Sequence, residues 1–221
     1  MKQEVAMRLV LFGATGFAGS RIAKEALSRG HEVVGVARDV SPLTEGEGLS
    51  ARAGTIHDEA FVLEVTRGAD ALLIATPGRP QEDGRKLLDA VPALAAAARA
   101  NGVRIGIVGG AASLKVSADG PRLLDTPEFP EAYKVEAGSH AEVLDALREV
   151  PEDVDWFYVS PAAVFGAHAP GERTGKYRTT DEVLLTDTMG DSAIGGEDYA
   201  IAFVDEIEAP AHRRARFGVA Y

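Results

Sequence analysis

Three glycines spaced three apart, Gly13, Gly16 and Gly19 in LFGATGFAGS, directly follow the apolar run Leu9-Val10-Leu11-Phe12. A tight turn needs one. Three at this spacing let a strand turn sharply into a helix, let a ligand come against the backbone, and let the helix pack closely on the strand. The ligand such a turn admits is a pyrophosphate, because the unpaired N–H groups and positive dipole end of the helix receive an anion without any basic side chain. A second group is Arg38, at the end of EVVGVARD. A planar guanidinium there suits a 2′-phosphate, a carboxylate would suit a ribose hydroxyl, and one step of register would present Asp39 instead.

Proton-transfer groups are sparser. Tyr133 has Ala137 four residues on, and Lys134 points about 100° away from it on a helix. No phenol–ammonium pair can therefore share one helical face. Ser113 could place a hydroxyl against a substrate, or could simply cap a turn. His168, Arg173, Lys176 and Arg178 gather positive charge into one segment of an acidic chain. That segment reads as a receiver of an anionic substrate or as solvated charge on a hairpin. His57 and His140 form no recognisable metal-ligand set, and no metal is expected.

The elements that must position these groups alternate. Val5–Phe12 reads as a buried strand, the apolar spacing of Phe17, Ile22, Ala23, Ala26 and Leu27 as a helix ended by Gly30, and Glu32–Ala37 as a second strand. A short strand near Arg52–Gly54, a helix from Asp58 to about Thr66 and a strand at Ala71–Ala75 follow. Next come an alanine-rich helix closed by Asn101-Gly102, which Pro92 should kink or split, and a strand at Arg104–Val108. A helix over about Tyr133–Val150 and a strand at Trp156–Ser160 complete the alternation, which specifies a parallel sheet covered on both faces. After Pro161 two short strands, around Lys176–Thr179 and Val183–Thr186, are expected to flank a turn. A helix from about Glu197 to Glu208 and a final strand in RARFGVAY end the chain. Ser41–Ser50 reads as a loop.

Composition narrows the classes. With 221 residues, 46% hydrophobic and 26% charged, the chain suits one domain with an appendage. No apolar run approaches a membrane span, and the start Met1-Lys2-Gln3-Glu4 lacks the order of a secretory signal, so a cytoplasmic protein without membrane partners is expected. The absence of cysteine excludes disulfides, thiolate metal sites and cysteine nucleophiles. A formal net charge of −11 disfavours a nucleic-acid partner.

With GATGFAG, VVGVARD and VGGAASL, and further on DTPEFPEAYKVEA, VSPAAVFGAHAPGERTGKYR and EDYAIAFVDEIEAP, the chain resembles the atypical short-chain dehydrogenase/reductase superfamily. Within it, the chain is similar to the NAD(P)H-binding group of "putative NADH-flavin reductases", akin to NmrA-like and biliverdin reductase B-like proteins. The resemblance covers nearly the whole chain. It implies an α/β Rossmann fold, a doubly wound parallel sheet, in a single domain over 1–221 with 162–221 forming a small carboxy-terminal lobe on the substrate side. It implies a dinucleotide held by Gly13, Thr15, Gly16, Phe17, Ala18, Gly19, Arg38, Thr55, Ile56, Ala75, Thr76, Pro77, Gly110, Ser160 and Pro161, with NADP(H) favoured over NAD(H) through Arg38. Ser113 and Tyr133 are the catalytic candidates, and His168, Arg173 and Lys176 the substrate-binding ones.

The chain departs from the superfamily where its lysine would stand, at Gly138. That loss suits a small-molecule acceptor such as a flavin, which needs little acid–base help. The expected activity is an NAD(P)H-dependent oxidoreductase passing hydride to a flavin or another readily reduced acceptor. A non-catalytic redox sensor is the alternative, and an epimerase or dehydratase fits less well.

Overall fold

The computed structural model describes residues 6–221; Val5 and the Met1–Glu4 start lie outside them. Five α-helices cover an eight-stranded sheet of order β3-β2-β1-β4-β5-β6-β8-β7. Its strands are β1 (Arg8–Phe12), β2 (Glu32–Ala37), β3 (Leu49–Ala53), β4 (Ala71–Ile74), β5 (Arg104–Val108), β6 (Trp156–Ser160), β7 (Arg178–Thr180) and β8 (Ala215–Ala220). All neighbours pair in parallel except β7, which runs antiparallel to β8. The fold is the doubly wound Rossmann sheet expected from the strand–helix alternation. Its order reverses between β1 and β4, so a crevice opens at the carboxyl ends of those two strands.

Period-two alternation explains why the central strands are apolar on both faces. On β1, Val10 and Phe12 join one core with α2 (Glu59–Val65), α3 (Leu87–Asn101) and α4 (Lys134–Arg148). Leu9 and Leu11 face the opposite core, beneath α1 (Phe17–Ser28) and α5 (Gly196–Glu208). Both faces of these central strands are buried, so β1, β2, β4 and β5 are apolar through most of their length, while the edge strands β3 and β7 are not.

Three elements differ from expectation. Pro92 lies inside one uninterrupted α3; Val91, Leu94 and Ala95, buried around it, hold the helix on the sheet. β3 begins at Leu49, inside the expected loop, because Leu49 takes register against Val33; as an edge strand with exposed alternate residues it carries little apolar signal. The expected hairpin does not form. β7 pairs with β8, while the backbone of Glu182 and Leu184 bonds to Lys115 after β5. Of residues 162–221, β8 extends the main sheet beside β6 and α5 packs on α1. The loop-rich remainder lies between β6 and α5.

A buried ion pair fixes this last crossover. Arg104 on β5 donates to the Glu206 carbonyl (2.8 Å), to its carboxylate (2.6 Å) and to the His212 carbonyl (2.7 Å). Burial opposes the charge on Glu206, but hydrogen bonds from Arg104 and His212 outweigh it and lower the pKa. Arg104→Met should therefore cost about 2–3 kcal/mol of unfolding free energy in urea titration, since it strands a buried carboxylate that keeps only its His212 and backbone donors. A loss below about 0.5 kcal/mol would show the pair to be dispensable.

Candidate functional site

The glycine turn assigns its three glycines different tasks. Gly13 ends β1 with φ +81°, a left-handed conformation, and its N–H donates to the Val36 carbonyl on β2 (2.9 Å). A Cβ at Gly13 would sit 2.4 Å from the Ala75 carbonyl oxygen, and one at Gly19 would sit 2.1 Å from that of Gly13. Both positions are closed to any side chain by neighbouring backbone. Gly16 is different: a Cβ there would meet no atom closer than 3.3 Å. It precedes α1, whose amino terminus receives no side-chain cap and carries no acidic residue in its first turn. The first N–H groups of α1 therefore remain available to an anion.

A cavity of about 360 Å³ opens from this turn across the carboxyl ends of β1, β2 and β4. Gly13, Thr15, Gly16, Arg38, Thr55, Ile56, Ala75, Thr76 and Pro77 all line it, as the motif reading requires. Phe17, Ala18 and Gly19 form the first turn of α1 beside it; Phe17 packs edge-on against Phe165 (5.4 Å) from the segment after β6. The Thr76 hydroxyl is buried and has no hydrogen-bond partner. An orphan hydroxyl in a polar crevice suits a ligand with donors and acceptors of its own.

Of the pair Arg38 and Asp39, Arg38 is the one that lines the cavity. It is exposed and makes no ion pair or hydrogen bond among the described residues. Asp39 accepts from the Ser41 N–H (2.9 Å), which lowers its pKa and commits it to a local turn.

Gly110, Ser113, Ser160 and Pro161 do not line this cavity: Gly110 and Ser113 follow β5, and Pro161 follows Ser160, the last residue of β6, farther along the same carboxyl edge of the sheet. The Gly110 N–H donates to the buried Tyr158 hydroxyl (3.0 Å), which donates to the His140 carbonyl (3.1 Å). Ser113 is half-buried, and its oxygen accepts from Arg216 Nη1 on β8 (3.2 Å). Tyr133, by contrast, is 60% exposed, and Lys134 is tied to Glu131 (2.6 Å). A Cβ at Gly138 would meet nothing, so the space for a lysine exists without the lysine.

The basic segment is only partly at the crevice's disposal. Arg173 was expected at the acceptor, but its guanidinium pairs with the buried Glu25 of α1 (2.6 Å). That is two turns below the helix's amino end, about 12 Å away along α1. The cause is the turn preceding β7: buried Asp198 accepts from the Thr174 and Gly175 N–H groups and from the Thr174 and Tyr221 hydroxyls. His168 and Lys176 are exposed.

Sequence reasoning missed two features. Glu136 and His140, on successive turns of α4, face the loop after β4: Glu136 accepts from the Gly78 N–H (2.7 Å) and the Arg79 N–H (3.2 Å), and His140 Nε2 lies 3.1 Å from Glu136. Burial opposes the Glu136 charge, but His140 and these N–H groups hold its pKa at about 2. The other missed residue is Arg216. Its one available signal was an arginine between Ala215 and Phe217 in an otherwise apolar terminal strand. Among the described residues no cluster of His, Asp and Glu could hold a metal, and no helix is long and apolar enough to cross a membrane.

Comparison with known proteins agrees with this geometry. The family described as NAD(P)H-binding matches residues 13–210. The uncharacterized protein YwnB of Bacillus subtilis is 36% identical over 96% of this chain and 98% of its own length. A "putative NADH-flavin reductase" of Streptococcus pneumoniae is 33% identical with a TM-score of 0.84, covering 97% of this chain and 99% of that one. A "putative epimerase" of Bacteroides thetaiotaomicron is 35% identical with a TM-score of 0.87, covering 98% of each chain.

The spacing around Gly16 and Gly19 separates folding from binding. Gly16→Val should abolish dinucleotide binding in calorimetry while moving Tm by no more than a few degrees, because its Cβ would press only mildly on the Gly13 carbonyl oxygen, 3.3 Å away, at a position that lines the cavity. Gly19→Ala should lower Tm steeply, because its methyl must displace the Gly13 carbonyl. Unchanged NADPH affinity in Gly16→Val would remove the pyrophosphate from this turn.

Proposed function

The chain belongs to the NAD(P)H-binding family, and from that premise we propose that it is an NADPH-dependent reductase of flavin or another readily reduced acceptor. The observation that carries this reading is the lack, among the described residues, of the phenol–ammonium pair that carbonyl reduction uses: Tyr133 is 60% exposed, Lys134 is bound to Glu131, and residue 138 is a glycine. When bound, the reduced nicotinamide supplies a hydride, the difficult part of the chemistry. The residues of this chain then have to bind, orient and exclude water.

Binding falls to the uncapped amino terminus of α1 for the pyrophosphate, to Arg38 for a 2′-phosphate, and to Thr55 and Ile56 for the adenine side. Thr76 offers its unpartnered hydroxyl within the same crevice. To the acceptor we assign Ser113 and Gly110, after β5, with Ser160 and Pro161 at the end of β6 on the same carboxyl edge of the sheet. Tyr133 is too exposed to be held against a reacting atom, so it serves at most as part of the mouth. An epimerase reading, which a relative's name suggests, leans on the tyrosine and lysine chemistry that α4 does not offer. A redox sensor that binds dinucleotide without turnover would share the same site.

Two measurements test the proposal. Arg38→Ala should weaken NADPH about 10- to 100-fold, or roughly 1.5–3 kcal/mol for a lost charge-assisted contact, and leave NADH nearly unchanged. Equal losses would give Arg38 a purely structural role.

Tyr133→Phe should retain most NADPH oxidation with free flavin, followed in steady state. A collapse of turnover with dinucleotide binding intact would restore tyrosine-based catalysis. Dinucleotide binding without turnover by the parent protein with any flavin would select the sensor.

A further inference from the structure

Arg216 is a buried cation in a strand whose other residues are apolar. It stands in β8 opposite Tyr158 of β6, in a strand whose neighbours Phe217 and Val219 are core residues. Its side chain is 1% exposed, and its Nε has no hydrogen-bond partner. The guanidinium is shared among three groups: Ser113 after β5 (3.2 Å), Ser160 at the end of β6 (3.4 Å) and Glu182. Glu182 is the one carboxylate in contact, is about half exposed, and divides itself with Arg148 (3.4 Å). A buried guanidinium that divides itself between a shared, half-exposed carboxylate and two serine hydroxyls invites a functional account of the serines it holds.

The hydrogen-bond directions supply one. An arginine only donates, so the Ser113 oxygen must accept from Nη1, and the Ser113 hydroxyl proton has no acceptor among the described residues. A serine whose oxygen is bound to a cation is a stronger donor than a free one. Sequence resemblance places a lysine ammonium on α4 in such sites, where this chain has Gly138 and open space. Here the positive charge comes from the opposite side, through the last strand.

We propose that Arg216 is the positioning cation of the acceptor end, fixing Ser113 so that its hydroxyl proton is presented to a conjugated ring carbonyl or ring nitrogen of the isoalloxazine or quinone type. The inference rests on the reductase reading for its chemistry and on geometry alone for its subsite. An acceptor that takes up a hydride gains two electrons and one hydrogen, and the resulting negative charge settles on a ring oxygen or nitrogen. Ser113 donates a hydrogen bond to that atom and keeps its proton. Loss of the hydride leaves the dinucleotide with one more positive charge, which balances the anionic acceptor, and a proton taken up from solvent then neutralises that acceptor. Because the cation is fixed before the acceptor arrives, no reorganisation is needed as charge develops.

The test uses riboflavin, which has no phosphate to be attracted elsewhere, titrated by fluorescence quenching into the NADP⁺-saturated protein. Arg216→Met and Ser113→Ala should each weaken riboflavin about tenfold and lower kcat by a similar factor, with NADPH affinity in calorimetry unchanged. Arg216→Lys should recover most of the loss. The Arg216→Met/Ser113→Ala double variant should be no worse than either single one, because both cut the same line of contacts. Glu182→Gln, which removes the ion pair and keeps the cation, should lower Tm without weakening riboflavin.

Multiplicative losses in the double variant, or a riboflavin affinity that follows Tm in Glu182→Gln, would reduce Arg216 to a structural residue. No riboflavin binding by the parent, or equal affinity in parent, Arg216→Met and Ser113→Ala, overturns the subsite whatever the turnover. Should Arg216→Met fail to fold, Ser113→Ala alone decides between these results. Riboflavin binding that Arg216→Met weakens, in a parent protein without turnover, would instead leave the subsite standing and sink the reductase reading.

Discussion

The close approach of the α1 backbone to the end of β1 governs the rest of the molecule. Gly19 rests against the Gly13 carbonyl, and Gly13 against that of Ala75, at distances that leave no room for a methyl group. This contact sets where α1 begins, and therefore where its unpaired N–H groups point. It also brings the loop after β4 to the other side of the same turn, so one backbone contact forms both walls of the crevice. The parallel sheet supplies the reversal of strand order at which such a crevice can open.

Electrostatics within the molecule runs against its overall charge. The chain is strongly acidic, yet the anion-binding features are local: a helix terminus with no carboxylate in its first turn, and an arginine at the end of β2 that no acidic group claims. Two nearby acidic side chains are engaged elsewhere: Asp39 closes its own turn, and Glu136 is held by two backbone N–H groups and His140. Glu82 is the carboxylate that lines the cavity itself, on the side of the loop after β4.

Relatives of very similar fold carry names from different reaction classes, a reductase and an epimerase among them. A shared fold says nothing about the acceptor. In this chain an exposed Tyr133 precedes α4, position 138 within α4 is a glycine, and β8 carries a buried arginine.

The sequence alone determined what depends on short-range order. The alternation of strands and helices, the glycine turn, the Asp58 cap of α2 and the Gly102 end of α3 are decided within a few residues by backbone sterics and hydrogen bonding, and they were legible. So was the crevice wall, because each strand of a doubly wound sheet delivers its carboxyl-end residues to the same edge. Tertiary structure decided whatever depends on partners distant in sequence. Pairing of β7 with β8, in place of a local hairpin, follows from a free sheet edge that no local signal reveals. Arg173 reads along the chain as available to an anion, and the fold places it beside Glu25, 148 residues away; Arg216 carries no local signal of its contact with Ser113, 103 residues away. Charges act through space on whatever the fold brings near them, so their roles were beyond the reach of spacing along the chain.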